Sequence, residues 1–208
     1  MLLILFTTVS VITLITTVLI IYRNLKQQVD LTGKHVIIAG GSKGIGREVA
    51  SKCYQRGAKV TILARDEKAL ADAREYILQQ TPLPRPDDIL YYSLDVSKNF
   101  ESVAEIFKQA EDKLGPIEGL FNIVGKAIVH RFIETPISDF EEMMSINYFS
   151  AVNCTRAAVD LMVLRKRGFV ELTSSMAGLL GVYGYSAYAS AKFALLGFAE
   201  TLSMEVSN

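Results

Sequence analysis

Tyr188 and Lys192 stand four residues apart near the end of this 208-residue chain, a spacing suited to proton transfer. On a helix such residues share one face, so the Lys192 ammonium would lie beside the Tyr188 phenol and favour its anion. A free phenol has a pKa of about 10, and a neighbouring cation brings it closer to the range in which a general acid works. Ser174, Ser175 and Asn147 lie upstream, and a serine hydroxyl would orient a substrate carbonyl. Ordinary amphipathic helices also contain such pairs, so the surrounding elements must decide.

A glycine turn between a strand and a helix provides a cofactor signal. The apolar run His35–Ala39 precedes this turn, and a helical pattern from Arg47 to Gln55 follows it. Glycines allow close approach of the backbone, and the free N–H groups at the start of the helix face an anionic pyrophosphate. We therefore predict a dinucleotide site at the turn. Its predicted residues are Gly40, Ser42, Lys43, Gly44, Ile45 and Gly46.

The end of the second predicted strand, Lys59–Ala64, indicates which dinucleotide is expected. Arg65 stands there, and an arginine at this place accommodates the 2′-phosphate of NADP(H), whereas an acidic residue would bind the ribose hydroxyl. Together with Lys43 it favours NADPH. The adjoining Asp66 would bind a ribose hydroxyl or cap the next helix, and we favour the cap because a helical pattern follows. Asp95, at the end of a further strand, would contact the adenine or cap the helix after it.

Short apolar strands alternate with amphipathic helices along the rest of the chain. We predict strands at 35–39, 59–64, 89–94, 120–123 and 168–173, and helices at 67–79, 100–113, 138–165 and 185–206. This alternation predicts an α/β fold, a Rossmann-type doubly wound parallel sheet with its ligand at the carboxyl ends of the strands. One N-terminal transmembrane helix precedes it.

In this order, the glycine turn, Asp95, Asn122-Ile-Val-Gly125, Asn147, the serine pair and Tyr188-x-x-x-Lys192 resemble the short-chain dehydrogenase/reductases over residues 33–208. The resemblance implies that Tyr188 is the acid/base, that Lys192 binds the nicotinamide ribose and lowers the tyrosine pKa, and that Asn147 holds a proton-relay water. The family spacing of thirteen residues before the tyrosine favours Ser175 as the carbonyl-orienting serine, although Ser174 stays open. The residues that the resemblance adds to the cofactor site are Asp95, Asn122, Gly125, Tyr188 and Lys192.

Two blocks, 143–148 and 174–188, are most similar to the family members that act in sphingolipid synthesis. The resemblance implies a protein of the endoplasmic reticulum membrane that reduces a long-chain lipid ketone with NADPH, and relatives commonly form homodimers. One alternative is another anchored reductase of steroid, retinoid or fatty carbonyl substrates. A second is an inactive membrane-bound nucleotide-binding module, because the family continues beyond the Tyr/Lys helix with further strands and a substrate loop, whereas this sequence stops at Asn208.

The chain departs from the family pattern at two places. Ala39 stands where the family usually has Thr, and Ile123-Val124 precedes Gly125 where the family has Asn-Ala. Loss of the threonine hydroxyl would weaken a hydrogen bond to the Asn122 region, and Val124 adds bulk near the cofactor. We therefore expect reduced cofactor affinity.

The N-terminal segment Met1–Tyr22 contains no charged residue and is rich in Leu, Ile, Val and Thr. At about 1.5 Å per residue, a helix of this length crosses a hydrocarbon core of about 30 Å, so we predict an uncleaved anchor rather than a signal peptide. Arg23 and Lys26 follow, and the positive-inside tendency places the catalytic domain in the cytosol. We divide the chain into an anchor at 1–22, a linker at 23–34 and an NADP(H)-binding domain at 35–208.

The charge balance argues against nucleic-acid binding, because 22 Lys and Arg residues match 22 Asp and Glu residues and no basic aromatic stripe is present. Cys53 and Cys154 lack a CxxC spacing, so we interpret them as reduced core thiols. His35, at the start of a strand, and His130, in a loop, are isolated from other ligand types. We therefore predict no metal site.

Overall fold

The computed structural model describes Thr13, residues 15–18 and residues 30–206. The chain divides into two units, residues 1–30 and residues 31–208. In the first unit, Thr13 and residues 15–18 are helical. No helix within the described residues is both long and apolar enough to cross a membrane. Most of the predicted anchor at 1–22 and of the predicted linker at 23–34 lies outside the described residues.

A parallel sheet forms the centre of the second unit. Its strands are β1 His35–Ala39, β2 Lys59–Ala64, β3 Ile89–Ser93, β4 Ile117–Asn122 and β5 Phe169–Leu172. Their order in the sheet is β3-β2-β1-β4-β5. The chain direction of successive crossovers reverses between β1 and β4, so the loops after these two strands diverge and leave a crevice at the carboxyl edge. The predicted Rossmann-type parallel sheet is confirmed.

Helices cover both faces of this sheet. They are α1 Gly44–Gln55, α2 Glu67–Gln79, α3 Phe100–Leu114, α4 Ile137–Met144, α5 Ser150–Met162 and α6 Ser186–Val206. Side chains alternate between the faces of a strand, so Val36 packs in a core with Tyr54 of α1, whereas Ile37 packs in a second core with Phe107 of α3 and Cys154 of α5. The alternation of apolar strands with helices that was read from the sequence thus builds two cores.

The helix predicted at 138–165 is correct in place but not in regularity. Residues 145–149 form a π-helical turn between α4 and α5, and a 3₁₀ turn follows at 163–165. Two other boundaries differ from the prediction by three residues, and the rest differ by one residue at most. Helix α1 begins at Gly44 rather than Arg47, and β4 begins at Ile117 rather than Leu120, because Ile117 pairs with His35 in the sheet.

The amino edge of the sheet is tied together by polar side chains. Nδ1 of His35 donates to the Gly115 carbonyl at 2.8 Å, so Nε2 is the unprotonated nitrogen and accepts from the Thr61 hydroxyl at 2.9 Å. Burial lowers the pKa of His35 to about 4, although the bond to Gly115 opposes that shift. Nearby, the Arg165 guanidinium forms two bonds to the Glu111 carboxylate, at 2.8 and 3.1 Å. His35 is therefore a structural residue at the start of β1, as predicted.

Both cysteines are free and buried, which agrees with the prediction of core thiols. Burial raises the pKa of the Cys53 thiol to about 11, although the charge of Arg56 opposes that shift. It also raises the pKa of the Cys154 thiol. With their pKa values raised, both thiols stay protonated near neutral pH, which argues against a nucleophilic role for either. Within the described residues no group of three potential ligands is arranged to hold a metal ion.

Candidate active site

A cleft of about 460 Å³ opens at the carboxyl edge, between the loops that follow the strands. This is the place at which ligands bind in open α/β sheets, and the volume lies within the usual range of about 300 to 1,000 Å³ for ligand sites. Several predicted cofactor residues line it. They are Gly40, Ser42, Lys43, Ile45, Gly46, Arg65, Asp95 and Gly125.

The glycine turn is packed too closely for side chains at two positions. Gly40 has a φ of +90°, and a Cβ there would lie 2.9 Å from the Val124 amide nitrogen. A Cβ at Gly46 would overlap the Gly40 carbonyl group, whose carbon would be 2.8 Å away. These two glycines let the turn fold back against the start of α1 and the loop after β4. The sequence argument for close backbone approach therefore has a steric basis.

Helix α1 begins without a side-chain cap, unlike its neighbours. Its N-cap residue, Lys43, makes no capping hydrogen bond. By contrast, Asp66 accepts from the Ala69 amide at the start of α2, and Asn99 accepts from the Ser102 amide at the start of α3. The first N–H groups of a helix need an external acceptor, and an anion meets that need together with the helix dipole. The pyrophosphate of a dinucleotide fits this end of α1.

Arg65 lies exposed at the end of β2, where the sequence predicted it. The neighbouring Asp66 carboxylate caps α2 and also pairs with Lys43 at 3.4 Å. The bond from the Ala69 amide, followed by the contact with Lys43, holds the pKa of Asp66 below its usual value despite slight desolvation. The prediction that Asp66 caps α2 is confirmed. Within the described residues no carboxylate lies within 4.0 Å of the Arg65 guanidinium, so that group is available to a ligand.

Asp95 lies in the cleft wall, two residues after the end of β3, and does not cap α3. Its Oδ1 accepts from the Ser97 hydroxyl at 2.7 Å and from the Ser97 amide at 3.0 Å. Burial opposes ionisation, but these two bonds and the charge of Arg65 hold the pKa of Asp95 below its usual value. The alternative reading of Asp95 as a helix cap is wrong, because Asn99 has that role. Its other oxygen can accept from an adenine amino group.

Tyr188 and Lys192 share one face near the start of α6. Nζ of Lys192 lies 5.8 Å from the centroid of the Tyr188 ring. Lys192 is only 3% exposed, and its Nζ donates to the Thr173 carbonyl at 2.8 Å. Burial lowers the pKa of the Lys192 ammonium, whereas the negative charge of Glu171 opposes that shift. The predicted pair is thus brought together, with the ammonium fixed by the end of β5.

The two adjacent serines have different environments. The Ser174 hydroxyl donates to the Lys192 carbonyl at 3.4 Å. A Cβ at Gly178 would lie 2.5 Å from the Ser174 hydroxyl oxygen. Ser174 is therefore wedged between β5 and α6. The Ser175 hydroxyl accepts from the Ala177 amide at 3.2 Å at the start of a short 3₁₀ turn. Its O–H hydrogen remains available, because only its lone pair is used in that bond.

Asn147 occupies the π-turn and clamps the loop after β4. Its Oδ1 accepts from the Lys126 amide at 3.1 Å, and its Nδ2 donates to the Lys126 carbonyl at 2.9 Å and to the Met143 carbonyl at 3.0 Å. A Cβ at Gly125 would lie 3.1 Å from Asn147 Oδ1 and 3.8 Å from Lys192 Nζ. Gly125 therefore lies between the cleft, which it lines, and the buried polar groups of Asn147 and Lys192. The water relay predicted for Asn147 stays a prediction.

Asn122 lies beneath the site rather than in the cleft. It is buried, and its Nδ2 donates to the Thr155 hydroxyl at 3.2 Å and to the Glu171 carbonyl at 3.3 Å. Its Oδ1 is buried and has no hydrogen-bond partner among the described residues. Ala39 is the register partner of Asn122 and has no hydroxyl to offer. The expected loss of a hydrogen bond at this position therefore has a visible counterpart.

A family model described as short chain dehydrogenase matches residues 34–208. The chain belongs to the short-chain dehydrogenase family. It is 43% identical over 176 residues to 3-ketodihydrosphingosine reductase of Bos taurus and 40% identical to 3-dehydrosphinganine reductase of Danio rerio. Each alignment covers 85% of this chain but only 53% of the relative, so the chain spans about half the length of these proteins.

A solved structure of the same fold is NAD⁺-bound xylitol dehydrogenase. It matches with a TM-score of 0.79 at 24% identity, over 85% of this chain and 66% of that protein. At this identity the likeness supports the fold alone. It agrees with the parallel sheet and with the crevice between β1 and β4.

The residues that line the cleft differ at a few positions from those predicted from the sequence. Four residues that were predicted to bind cofactor are not among the residues that line the cleft, namely Gly44, Asn122, Tyr188 and Lys192. Lys126, Ser97 and Ile146 line it without having been predicted. The signal for Lys126 was its position directly after Gly125. The signal for Ser97 was its spacing of two from Asp95, which is typical of an Asx turn.

Proposed function

We propose that this chain forms the NADPH-binding and catalytic part of a 3-ketodihydrosphingosine reductase. The reaction is the reduction of the 3-keto group to a secondary alcohol in sphingolipid synthesis. The observation that carries the proposal is the 43% identity to the bovine enzyme across the domain, together with Tyr188 and Lys192 on one face of α6.

Each proposed role follows from a contact of this chain. A bound dihydronicotinamide supplies a hydride, while the protein supplies orientation and a proton. The Tyr188 hydroxyl donates its proton to the ketone oxygen, and the buried Lys192 ammonium stabilises the phenolate left behind. We assign the carbonyl-orienting hydroxyl to Ser175, because the Ser174 hydroxyl is engaged with the backbone of α6.

NADPH is the proposed cofactor rather than NADH. Arg65 lies exposed at the end of β2 and lines the cleft. Asp66, which would favour NADH by binding the ribose hydroxyls, is engaged as the cap of α2 and with Lys43. A guanidinium forms bidentate hydrogen bonds with a phosphate, so Arg65 is suited to the 2′-phosphate. Gly40 and Gly46 would leave room for the pyrophosphate at the start of α1.

An apolar rim beside Tyr188 supports a lipid substrate. Two loops form it, one after β4 and one after β5, and the His130 amide joins them by donating to the Gly184 carbonyl at 3.0 Å. The Tyr185 ring, at the end of the second loop, lies 5.9 Å from the Tyr188 ring. Clustered exposed apolar side chains mark binding surfaces for apolar ligands. The rim residues are Val129, Phe132, Ile133, Leu179, Leu180 and Tyr183.

We further propose that the protein is anchored in the endoplasmic reticulum membrane with its domain in the cytosol. The uncharged segment Met1–Tyr22 and the cations Arg23 and Lys26 support this. Carbonate extraction of membranes containing the full chain, compared with a chain that starts at Arg23, tests the anchor. We also propose a homodimer through α5 and α6, which is supported by the exposed aromatic side chains of Phe149, directly before α5, and of Phe193 in α6.

The experiment is to follow NADPH oxidation by the full chain with 3-ketodihydrosphingosine. We expect turnover, and we expect Tyr188→Phe to reduce the rate by about 1,000-fold while NADPH binding stays unchanged, because the proton donor is lost. Tyr91→Phe, on β3, is the matched control and should retain full activity. Activity of Tyr188→Phe within tenfold of the unchanged chain contradicts the proton-donor role.

Two other results would overturn the proposed substrate or activity. Turnover of a steroid, retinoid or fatty carbonyl without turnover of the sphingoid ketone favours another anchored reductase. NADPH binding without turnover of any ketone favours a nucleotide-binding module.

A further inference from the structure

Glu171 is an unusual residue for its position in the sheet. It lies within β5, pairs in register with Phe121 of β4, and is half-buried. Strand positions of this kind are usually apolar, because burying a carboxylate costs free energy unless it is paired or hydrogen-bonded. Burial raises the pKa of the Glu171 carboxyl, whereas the Thr173 hydroxyl and the charge of Lys192 lower it. The ionised form of Glu171 is therefore favoured by the Thr173 hydroxyl and by the charge of Lys192.

Thr173 connects Glu171 to the buried lysine. Its hydroxyl donates to the two Glu171 carboxylate oxygens, at distances of 3.0 and 3.2 Å. Its carbonyl accepts from Lys192 Nζ at 2.8 Å. The Asn122 amide also donates to the Glu171 carbonyl and so fixes the strand from the other side. A single residue thus holds the carboxylate with its side chain and the ammonium with its backbone.

Lys192 has few means of staying charged in its position. Its Nζ lies beside the Tyr188 ring on the same helix and donates to the Thr173 carbonyl, and a Cβ at Gly125 would lie 3.8 Å from it. The negative charge of Glu171 raises the pKa of Lys192 and so opposes the effect of burial. A buried ammonium that loses its counter-charge releases its proton more readily.

We propose that Glu171, through Thr173, is a positioning residue that keeps the Lys192 ammonium charged and seated on the end of β5. This inference rests on the proposed function, since a charged Lys192 is what stabilises the Tyr188 phenolate. It assigns Glu171 no contact with the substrate or the cofactor.

The first test is a lysine titration by NMR, which requires no turnover. The side-chain Cε resonance of Lys192 is assigned by its absence in Lys192→Met and is followed against pH in the full chain. Replacing Glu171 by the isosteric Gln removes the negative charge, so Glu171→Gln should lower the titration midpoint of Lys192 by about one pH unit. Glu118→Gln, on the adjacent strand and paired with Arg167 at 2.9 Å, is the control and should leave the midpoint unchanged.

The second test is the pH profile of ketone reduction. Deprotonation of Lys192 ends activity on the alkaline side, so Glu171→Gln should move that limb to lower pH by the same amount, with a reduced kcat and an unchanged KM for the ketone. Thr173→Val should also move the alkaline limb to lower pH, because it removes the hydroxyl that donates to Glu171. Thr173→Ser retains a hydroxyl and should keep the profile of the unchanged chain.

The outcomes separate the inference from the proposed function. An unchanged Lys192 midpoint in both Glu171→Gln and Thr173→Val overturns the inference, even if the ketone is reduced. Failure of the unchanged chain to reduce any ketone overturns the proposed function, while a shifted Lys192 midpoint still supports the coupling. If Glu171→Gln does not fold, Thr173→Val and Thr173→Ser decide by the same titration.

Discussion

The two edges of the sheet differ in whether their polar groups have hydrogen-bond partners within the protein. At the amino edge, both ring nitrogens of His35 have partners, Lys59 donates to the Leu114 carbonyl, and Arg165 forms two bonds with Glu111. At the carboxyl edge, α1 has no side-chain cap and Asn122 Oδ1 has no partner among the described residues. Saturated polar groups stabilise the fold, whereas the uncapped start of α1 lies at the cleft, where a ligand can complete its N–H groups. Asn122 Oδ1 lies beneath the cleft, so its missing partner would have to come from the protein. Substitutions at the two edges should therefore separate stability from binding.

The largest effect is expected from filling the glycine turn. Gly46→Ala places a Cβ against the Gly40 carbonyl, and backbone cannot move aside cheaply, so we expect a loss of at least about 3 kcal/mol in the free energy of unfolding. NADPH binding should fall by at least about 100-fold in whatever fraction folds. Urea denaturation and fluorescence titration measure the two effects. Gly197→Ala, where a Cβ meets nothing within 4 Å, is the control and should leave both unchanged or slightly improve stability.

At the opposite edge we expect a pH effect on stability alone. The pKa of His35 is about 4 in the folded chain, against 6.5 when unperturbed. Above pH 6.5 the ring is neutral in both states, so its contribution is fully present. As the pH falls from 6.5 toward 4, the unfolded chain takes up a proton and the folded chain does not, so stability is lost.

By pH 5 the loss attributable to His35 should be about 2 kcal/mol. Urea denaturation at pH 7 and pH 5 measures it, with His130→Gln as a control at an exposed loop position. His35→Gln should flatten the pH dependence. An equally steep dependence in His35→Gln would show that other groups cause it.

A smaller effect should distinguish the two dinucleotides. Arg65→Leu removes the exposed guanidinium at the end of β2, so the Kd for NADPH should rise about tenfold more than the Kd for NADH, which is about 1.4 kcal/mol. Fluorescence titration with both cofactors measures the difference. Arg56→Leu is the control, because Arg56 lies at the end of α1 and does not line the cleft. This variant should change the Kd values for NADPH and NADH equally. Equal losses for the two cofactors would contradict recognition of the 2′-phosphate.

The smallest effect should come from supplying the missing donor to Asn122. Ala39→Ser places a hydroxyl opposite the unpartnered Oδ1, so the free energy of unfolding should rise by about 1 kcal/mol. Ala39→Val adds bulk without a donor and should destabilise, because Ala39 is fully buried. Thermal unfolding of the two variants measures both. A melting temperature of Ala39→Ser no higher than that of Ala39→Val would show that the orphaned oxygen is not satisfied in this way.

The sequence predicted those features that depend on local pattern. The strands, the helices and the Asp66 cap follow from periodicity and from residue types within a few positions of each other. The π-turn was missed because the contacts that accompany it are tertiary: Asn147 bonds to Lys126, which is 21 residues away in sequence. The choice of Asn99 over Asp95 as a cap was missed because both residue types cap helices equally well. The coupling of Glu171 to Lys192 also required the fold, since it passes through a hydrogen bond to a backbone carbonyl.

The π-turn at 145–149 has a consequence for changes in chain length. A wide turn holds one residue more than an α-helical turn, so the extra residue is accommodated within the turn and the helix continues on either side of it. Deleting one residue within this turn would convert it to a regular α-helical turn, in which Asn147 would no longer hold its present place relative to the Met143 and Lys126 carbonyls. The loop containing Lys126 would then lose its clamp. A single-residue deletion here is therefore expected to disturb the cleft more than it disturbs α4 and α5.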